Sequence, residues 1–334
     1  MTALSAPRRG RSAVRAVGSS YGLKYVASRI AQSVVATAGV YVLIFVIVTV
    51  LPGDPINAKL HNPELSYTQA QINALLSYYR LNRPVWEQLG FSLERLVLHG
   101  DWGISLSAGV PVSQLMWQGI PSTLQLAGAS FVIAAVLAFA ISLGATYLPA
   151  RFGGGVLRAF PSLFLSAPNF LLGLFIIDMF SFRLHWFSIL DYSGWNALIY
   201  PAITLAIPVS APISQILITS LDDARSQQYA TVAISKGISR IRLFARHLLP
   251  NAALPALTIA ALIAGDLLGG SIITEAVFGR TGLGTVIENA GTSQDVPVLQ
   301  AAVTLASVIF LVINLIVDLI YPVLDPRLRR AATR

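Results

Sequence analysis

Long runs of apolar residues dominate this chain: residues 30–51, 123–148, 159–182, 197–221, 252–273 and 298–321 are each nearly free of charge. Each is about as long as a helix needs to cross a bilayer, roughly 20 residues. Within the runs the apolar positions are nearly continuous, so these helices meet an apolar surrounding on most of their circumference. The pattern predicts an all-α polytopic membrane protein with six spans. The third run contains Pro161, Pro168 and Asn169; spanning helices tolerate such breaks where neighbours satisfy the freed backbone groups.

Composition removes the main alternative. Of 334 residues 55% are hydrophobic and 11% charged, against about 25% charged in soluble domains, so a water-facing surface cannot be assembled. There is no cysteine, which excludes disulfides, thiolate metal sites and a cysteine nucleophile. A net charge of +8 could suggest nucleic acid, but the placement of the charges points to lipid instead. In the six-span arrangement only Lys59, Arg80, Arg83, Arg95, Arg183 and Arg280 fall on one side, and the other seventeen Lys and Arg fall on the opposite side. Basic residues accumulate in cytoplasmic loops, so both termini are expected in the cytoplasm of a bacterial inner membrane. All five tryptophans lie on the outer side (Trp86, Trp102, Trp117, Trp186, Trp195), where interfacial rings are favoured. Residues 1–29 form a basic cytoplasmic tail without a cleavable signal, and the first run, 30–51, reads as a retained anchor.

Two polar segments are too long for simple connectors. Residues 52–122 carry a helical pattern at Ile72, Leu75, Leu76 and Tyr79 and are expected to form an extracytoplasmic helical subdomain. The remainder divides into a transmembrane core, 123–321, with a cytoplasmic loop at 222–251, and a cytoplasmic tail, 322–334. In that loop, residues 228–236 read as a short helix stopped at Gly237. Ser239 can cap a second helix over 240–249, ended by Pro250. The result is an elbow shaped for a partner to grip, with Ala230 and Ala233 small enough for close approach.

This loop resembles the EAA loop of ABC-importer permeases, through Tyr229, Ala233, Ser235-Lys236-Gly237 and the ending Leu249-Pro250. The loop's familiar glutamate and the arginine after the aromatic are missing here, with Ala230 and Thr231 nearby. Further matches run along the chain in order: Leu51-Pro52-Gly53-Asp54-Pro55, Leu81-Asn82-Arg83-Pro84-Val85, His99-Gly100-Asp101-Trp102-Gly103, Pro121-Ser122-Thr123-Leu124, Thr274-Glu275-Ala276-Val277-Phe278, Gly282-Leu283-Gly284, Asp295-Val296-Pro297-Val298-Leu299-Gln300 and Asp325-Pro326-Arg327. The set is similar to the first permease of the dipeptide, oligopeptide and nickel importers. The resemblance implies a type I importer fold and a second homologous permease. It also implies two ATPase subunits or one fused ATPase, and an extracytoplasmic solute-binding protein. ATP and Mg would be bound by the ATPases; no phosphate loop of the G-x-x-x-x-G-K-[ST] type occurs here, so no cofactor and no enzymatic role is expected of this chain. The residues implied in ATPase coupling are Tyr229, Ala230, Ala233, Lys236, Gly237, Arg240, Leu249 and Pro250. Di- or oligopeptide is the expected cargo, with nickel chelate, glutathione or another small solute open.

Charged residues inside spans are functional candidates because each costs at least about 2.5 kcal/mol to insert. Asp266, flanked by Gly265, Gly269 and Gly270, and Glu275 are the candidate pathway-facing acids. Asp318 lies near a span end, where it can pair with Arg327 or cap backbone, and Asp178 has no evident role. His61, His99, His185 and His247 are scattered, so no metal site is assigned. A secondary transporter or channel is the competing class; it would need no partner-gripping elbow and should show repeated halves or discontinuous helices around ion ligands.

Overall fold

The computed structural model describes the backbone of residues 11–50, 67–190 and 194–324. Among these residues the only non-helical pairing is a single bridge between Ile104 and Pro111. The helices are α1 (Arg11–Val50), α2 (Gln69–Tyr79), α3 (Val85–His99), α4 (Val112–Tyr147), α5 (Gly154–Ser166), α6 (Asn169–Ile176), α7 (Asn196–Ser226), α8 (Gln228–Ser235), α9 (Arg240–Leu243), α10 (Leu249–Phe278), α11 (Leu283–Thr292) and α12 (Val296–Leu324).

Five helices are long and apolar enough to cross a membrane, or six if the bent pair α5 and α6–Arg183 counts as one span. The expected third span is therefore not a rod. It bends by 107° between Ser166 and Asn169, where Pro168 removes a backbone donor and pushes Ala167 into extended geometry. Other boundaries also shift. α1 begins at Arg11, so part of the presumed tail is helical, and α4 begins at Val112 and runs through Pro121.

The bundle centres on α4, α7 and α10. Leu126, Ala127, Ala202, Leu205, Leu267 and Leu268 pack where the three meet. Small residues line the α4–α7 seam: Ser130, Ala134, Ala138 and Ser142 on one helix, Ala206, Ser210, Ala211 and Ser214 on the other, all buried. Such side chains let backbones approach where lipid offers no hydrophobic drive between helices. Ser142 Oγ lies 3.2 Å from the Ser214 carbonyl oxygen across the seam, as a donor. By contrast, α1 leaves Val34, Val35, Leu43 and Ile47 exposed and packs mainly on α12 and α3.

Of the segment 52–122, expected to form an outer subdomain, residues 67–122 are described and are largely helical. Thr68 and Gln71 form a capping box for α2, and Ile72 and Leu106 make a small core with Tyr67, Leu75, Leu76 and Tyr79. Arg95 lies 3.6 Å above the Tyr78 ring and pairs with Asp101, which also accepts from Tyr78 Oη at 3.0 Å and from the Gly103 amide at 2.9 Å.

Candidate functional site

At the end of the bundle formed by the 222–251 segment, Gly237 adopts φ +75°, a conformation open to glycine and costly to other residues. Its amide donates to Ile234 O at 2.9 Å and the Ile238 amide to Ala233 O at 3.2 Å, closing α8 and turning the chain into α9. The predicted elbow is there, but two of its details differ. Ala230 and Ala233 do not face outward: both are buried with Leu217, Leu221, Ala224, Leu243, Leu248, Ala252 and Ala256. Their small size lets α8 lie close on this chain's own helices, so they do not serve the approach of a partner. Nor does Pro250 end a helix. α9, a π turn over Phe244–Leu248 and α10 form one path from Arg240 to Phe278, with Pro250 directly after the π turn, at the start of α10.

The face left open is apolar and basic. Val232, Ile234 and Ile241 are exposed, Ile241 to 82%, with Tyr229 beside them; Lys236, Arg240, Arg242 and Arg246 are also exposed, and Leu249 is half-buried. The elbow is mated firmly to the bundle. Phe244 meets the Tyr147 ring edge-on at 5.6 Å, Arg225 donates to Thr146 O at 2.9 Å, and Arg158 grips Asp222 through two bonds of 2.6 and 3.1 Å. The elbow itself thus meets α4 through Phe244 and α7 and α10 through its buried cluster, while the Arg225 and Arg158 contacts tie the end of α7, just before the elbow, to α4 and α5.

The candidate acids separate. Asp266 is exposed on α10, beside buried Leu267 and Leu268. About two turns further, Asn169 at the start of α6 donates to Thr274 Oγ1 at 3.0 Å, which sets the break of the bent span against this stretch of α10. Glu275, in contrast, is 0% exposed. Its carboxylate faces the turn before α11, accepting from the Gly284 amide at 2.7 Å, while the Leu283 amide donates to Thr123 Oγ1 at 2.9 Å. A Cβ at Gly282 would lie 2.4 Å from the Glu275 carboxyl carbon, and one at Gly284 2.3 Å from Ile272 O. Glu275 thus ties α10 to α11 and faces no open surface of this chain. Asp178 pairs with Arg183 at 2.8 Å near the outer end. The side chain of Asp318, and its suggested partner Arg327, lie outside the described residues.

Asp295 was quoted only as part of a motif, and its role is visible only in three dimensions. It is buried between α11 and α12 and accepts from Ser105 Oγ at 2.6 Å, the Leu106 amide at 3.2 Å and the Ser107 amide at 2.8 Å. It latches the outer subdomain to the bundle across nearly 190 residues of sequence.

A helical bundle with five or six candidate spans, one of them bent, defines a membrane-embedded protein, and the comparisons with known proteins specify which kind. Residues 136–330 match the family described as binding-protein-dependent transport system inner membrane component, and the chain belongs to it. It is 33% identical over 308 residues to the glutathione transport system permease protein GsiC of Salmonella choleraesuis (strain SC-B67), covering 92% of this chain and 99% of that protein. It is 29% identical to the probable peptide ABC transporter permease protein y4tP of Sinorhizobium fredii (strain NBRC 101917 / NGR234), covering 91% and 99%. Its fold resembles a chain of the MetNI methionine ABC transporter in inward-facing form, with TM-score 0.52, 19% identity, and 66% of this chain and 97% of that one covered. The protein is thus an inner-membrane permease component of an ABC importer, a family whose members work with ATPases and solute-binding proteins.

Proposed function

We propose that this chain forms half of the translocation pathway of an importer for short peptides, with 229–250 as the lever through which ATPases move it. The observation that carries this reading is the seating of the elbow: one face sunk into the bundle, the other open, apolar and ringed by basic side chains. Such a face suits an apolar groove with an acidic rim on a partner. The peptide cargo is supported by the relatives, one named for peptides and one for glutathione, itself a small peptide.

In this account both termini are cytoplasmic, following the placement of Lys and Arg. A second homologous permease completes the pathway, two ATPase sites (on separate or fused subunits) bind ATP and Mg beneath, and a solute-binding protein delivers cargo from outside. ATPase closure pushes the elbow, and the bundle swings as a rigid body to open outward. This chain performs no covalent chemistry. Asp266 faces the pathway: it has no hydrogen-bond or ion-pair partner among the described residues, and an intramembrane carboxylate turned to lipid would be costly.

The test is ATP-driven uptake in cells or proteoliposomes carrying Ile241→Glu or Gly237→Pro. Ile241 is exposed, so Ile241→Glu is expected to insert normally, whereas proline can neither take the φ of +75° at Gly237 nor donate to Ile234 O, so Gly237→Pro is expected to unseat the elbow locally and its insertion is checked by membrane yield. Uptake is expected to fall at least tenfold while the ATPases retain basal hydrolysis. Full uptake by both variants would refute the lever.

A further inference from the structure

Four spans converge at the end of the bundle opposite the 222–251 segment. The start of α7, the turn after α10, the chain beyond the bent span and the early part of α4 enclose a cleft of about 110 Å3 there. Gly279, at φ +62°, ends α10 in a left-handed cap, and the Arg280 amide donates back to Glu275 O at 2.9 Å. The turn sends the Arg280 side chain across to α7, where its Nη1 donates to Ala197 O at 2.7 Å.

That single bond leaves most of the guanidinium without partners. Its Nε is buried and has no acceptor, and among the described residues no carboxylate lines the cleft. Glu275, the acid that acts on Arg280 through space, faces the Gly282–Gly284 turn instead. It balances the arginine's charge at a distance but accepts no hydrogen bond from it. The other polar groups of the lining are Ser122, Ser188, Asn196 and Thr281. The side chains of Ser122, Asn196 and Thr281 make no hydrogen bond among the described residues, so each has a donor to give. Asn196 and Ala197 also belong to the first turn of α7, whose N-cap Trp195 supplies no side-chain acceptor, and the positive end of that helix dipole lies at the cleft. Phe187 and Phe278, stacked at 6.5 Å, and Pro201 form the apolar side.

We infer that this cleft binds a carboxylate, and that the carboxylate is the C-terminal group of the peptide cargo, taken at the outer mouth of the pathway. The inference rests on the peptide cargo and the sidedness proposed above. A guanidinium fork matches a planar carboxylate through charge-assisted bonds that an amide cannot reproduce. Nη2 and, once the guanidinium tilts toward the cleft, Nε then hold the two carboxylate oxygens, with Ser122 and Asn196 as further donors. The volume, about 110 Å3, admits an end group and not a whole peptide, since pockets that enclose a ligand start at roughly 300 Å3. The aromatic side makes no polar demand on the last side chain of the cargo, so the terminal residue is read by its carboxylate and not by its identity.

The test compares uptake of a dipeptide with uptake of the same dipeptide amidated at its C-terminus, in proteoliposomes carrying the assembled importer and its solute-binding protein. The binding protein is the same throughout, so a change in the acid-to-amide ratio on substitution belongs to this chain. Arg280→Gln is expected to lower that ratio about tenfold, and Arg280→Lys to recover part of it. Arg280→Gln also gives up the bond to Ala197 O, so the second variant is Ser122→Ala, which loses no existing bond and is expected to lower the ratio about threefold at an unchanged melting temperature. An unchanged ratio in every variant that assembles would overturn the site while the peptide cargo stands. Uptake of neither peptide by wild type would overturn the peptide cargo and this inference with it. An equal loss of both peptides, with more binding protein needed for half-maximal uptake, would give the cleft to an acidic side chain of that protein and overturn the cargo assignment.

Discussion

Replacing Asp295 by asparagine should release the outer subdomain from the bundle. One carboxylate oxygen accepts from Ser105 Oγ and the Ser107 amide, and the other from the Leu106 amide. Asparagine can keep the first pair with its single oxygen, but its NH2 then opposes the Leu106 N–H, donor against donor. Leu106 is fully buried, so its amide stays unpaired at a cost of about 1–3 kcal/mol. The two surviving bonds lose their charge assistance, roughly another 1 kcal/mol together. The sum, about 3 kcal/mol, corresponds to about a hundredfold in a local opening equilibrium. Amide hydrogen exchange on the nanodisc-embedded importer reads this directly: protection at Leu106 and Ser107 should fall about a hundredfold in Asp295→Asn. In Ser105→Ala, which forfeits the bond donated to Asp295 and the one accepted from the Ala108 amide, about 2 kcal/mol together, it should fall about thirtyfold. Unchanged exchange at Leu106 in Asp295→Asn would refute the latch.

Three further outcomes follow from the same structure. Burial raises the Asp101 carboxyl, but the Gly103 amide, Arg95 and Tyr78 together outweigh it and hold the group below its usual 3.8. Its contribution is therefore complete above that value and lost as pH falls through the lower folded-state value; the thermal-stability gap between wild type and Asp101→Asn should be constant from about pH 8 to 5 and close below pH 3.8, and a gap closing near neutrality would contradict this. Gly284→Ala places a methyl 2.3 Å from the Ile272 carbonyl oxygen, a backbone atom that cannot swing aside, so detergent-solubilised protein should lose roughly 3 kcal/mol and melt several degrees lower, with Gly155→Ala, in open space, as the neutral control. Ala230→Leu should overpack the elbow core by about 1–3 kcal/mol and reduce uptake through stability, seen as a lower melting temperature; an unchanged melting temperature would return Ala230 to the partner-facing surface.

Much of this protein could be read before its shape. Length and continuity of the apolar runs placed the spans because a bilayer imposes one length on every helix that crosses it. Gly237 marked the elbow because few other residues suit a left-handed turn between two short helices. What escaped depended on contacts distant in sequence. The bend at Ala167–Pro168 is hidden because an apolar run reads alike whether straight or folded back. The inward turn of Ala230 and Ala233 is hidden because a small residue suits a tight intramolecular seam as well as an intermolecular one. Glu275 looked like a pathway acid by composition; only the fold brings the Gly282–Gly284 turn onto its carboxylate. Asp295 carried no signal beyond its place in a motif at the start of a helix, since its three donors arrive from the 67–122 segment.

Disulfide or bifunctional cross-linking from a single Ile241→Cys asks whether the elbow is the contact through which ATPases drive this bundle. In the assembled importer this exposed position should cross-link to an ATPase subunit, with a yield that changes when nucleotide is added, and should react with impermeant thiol reagents only from the cytoplasmic side. Cross-linking to no other polypeptide, or labelling from outside the cell, would contradict the account.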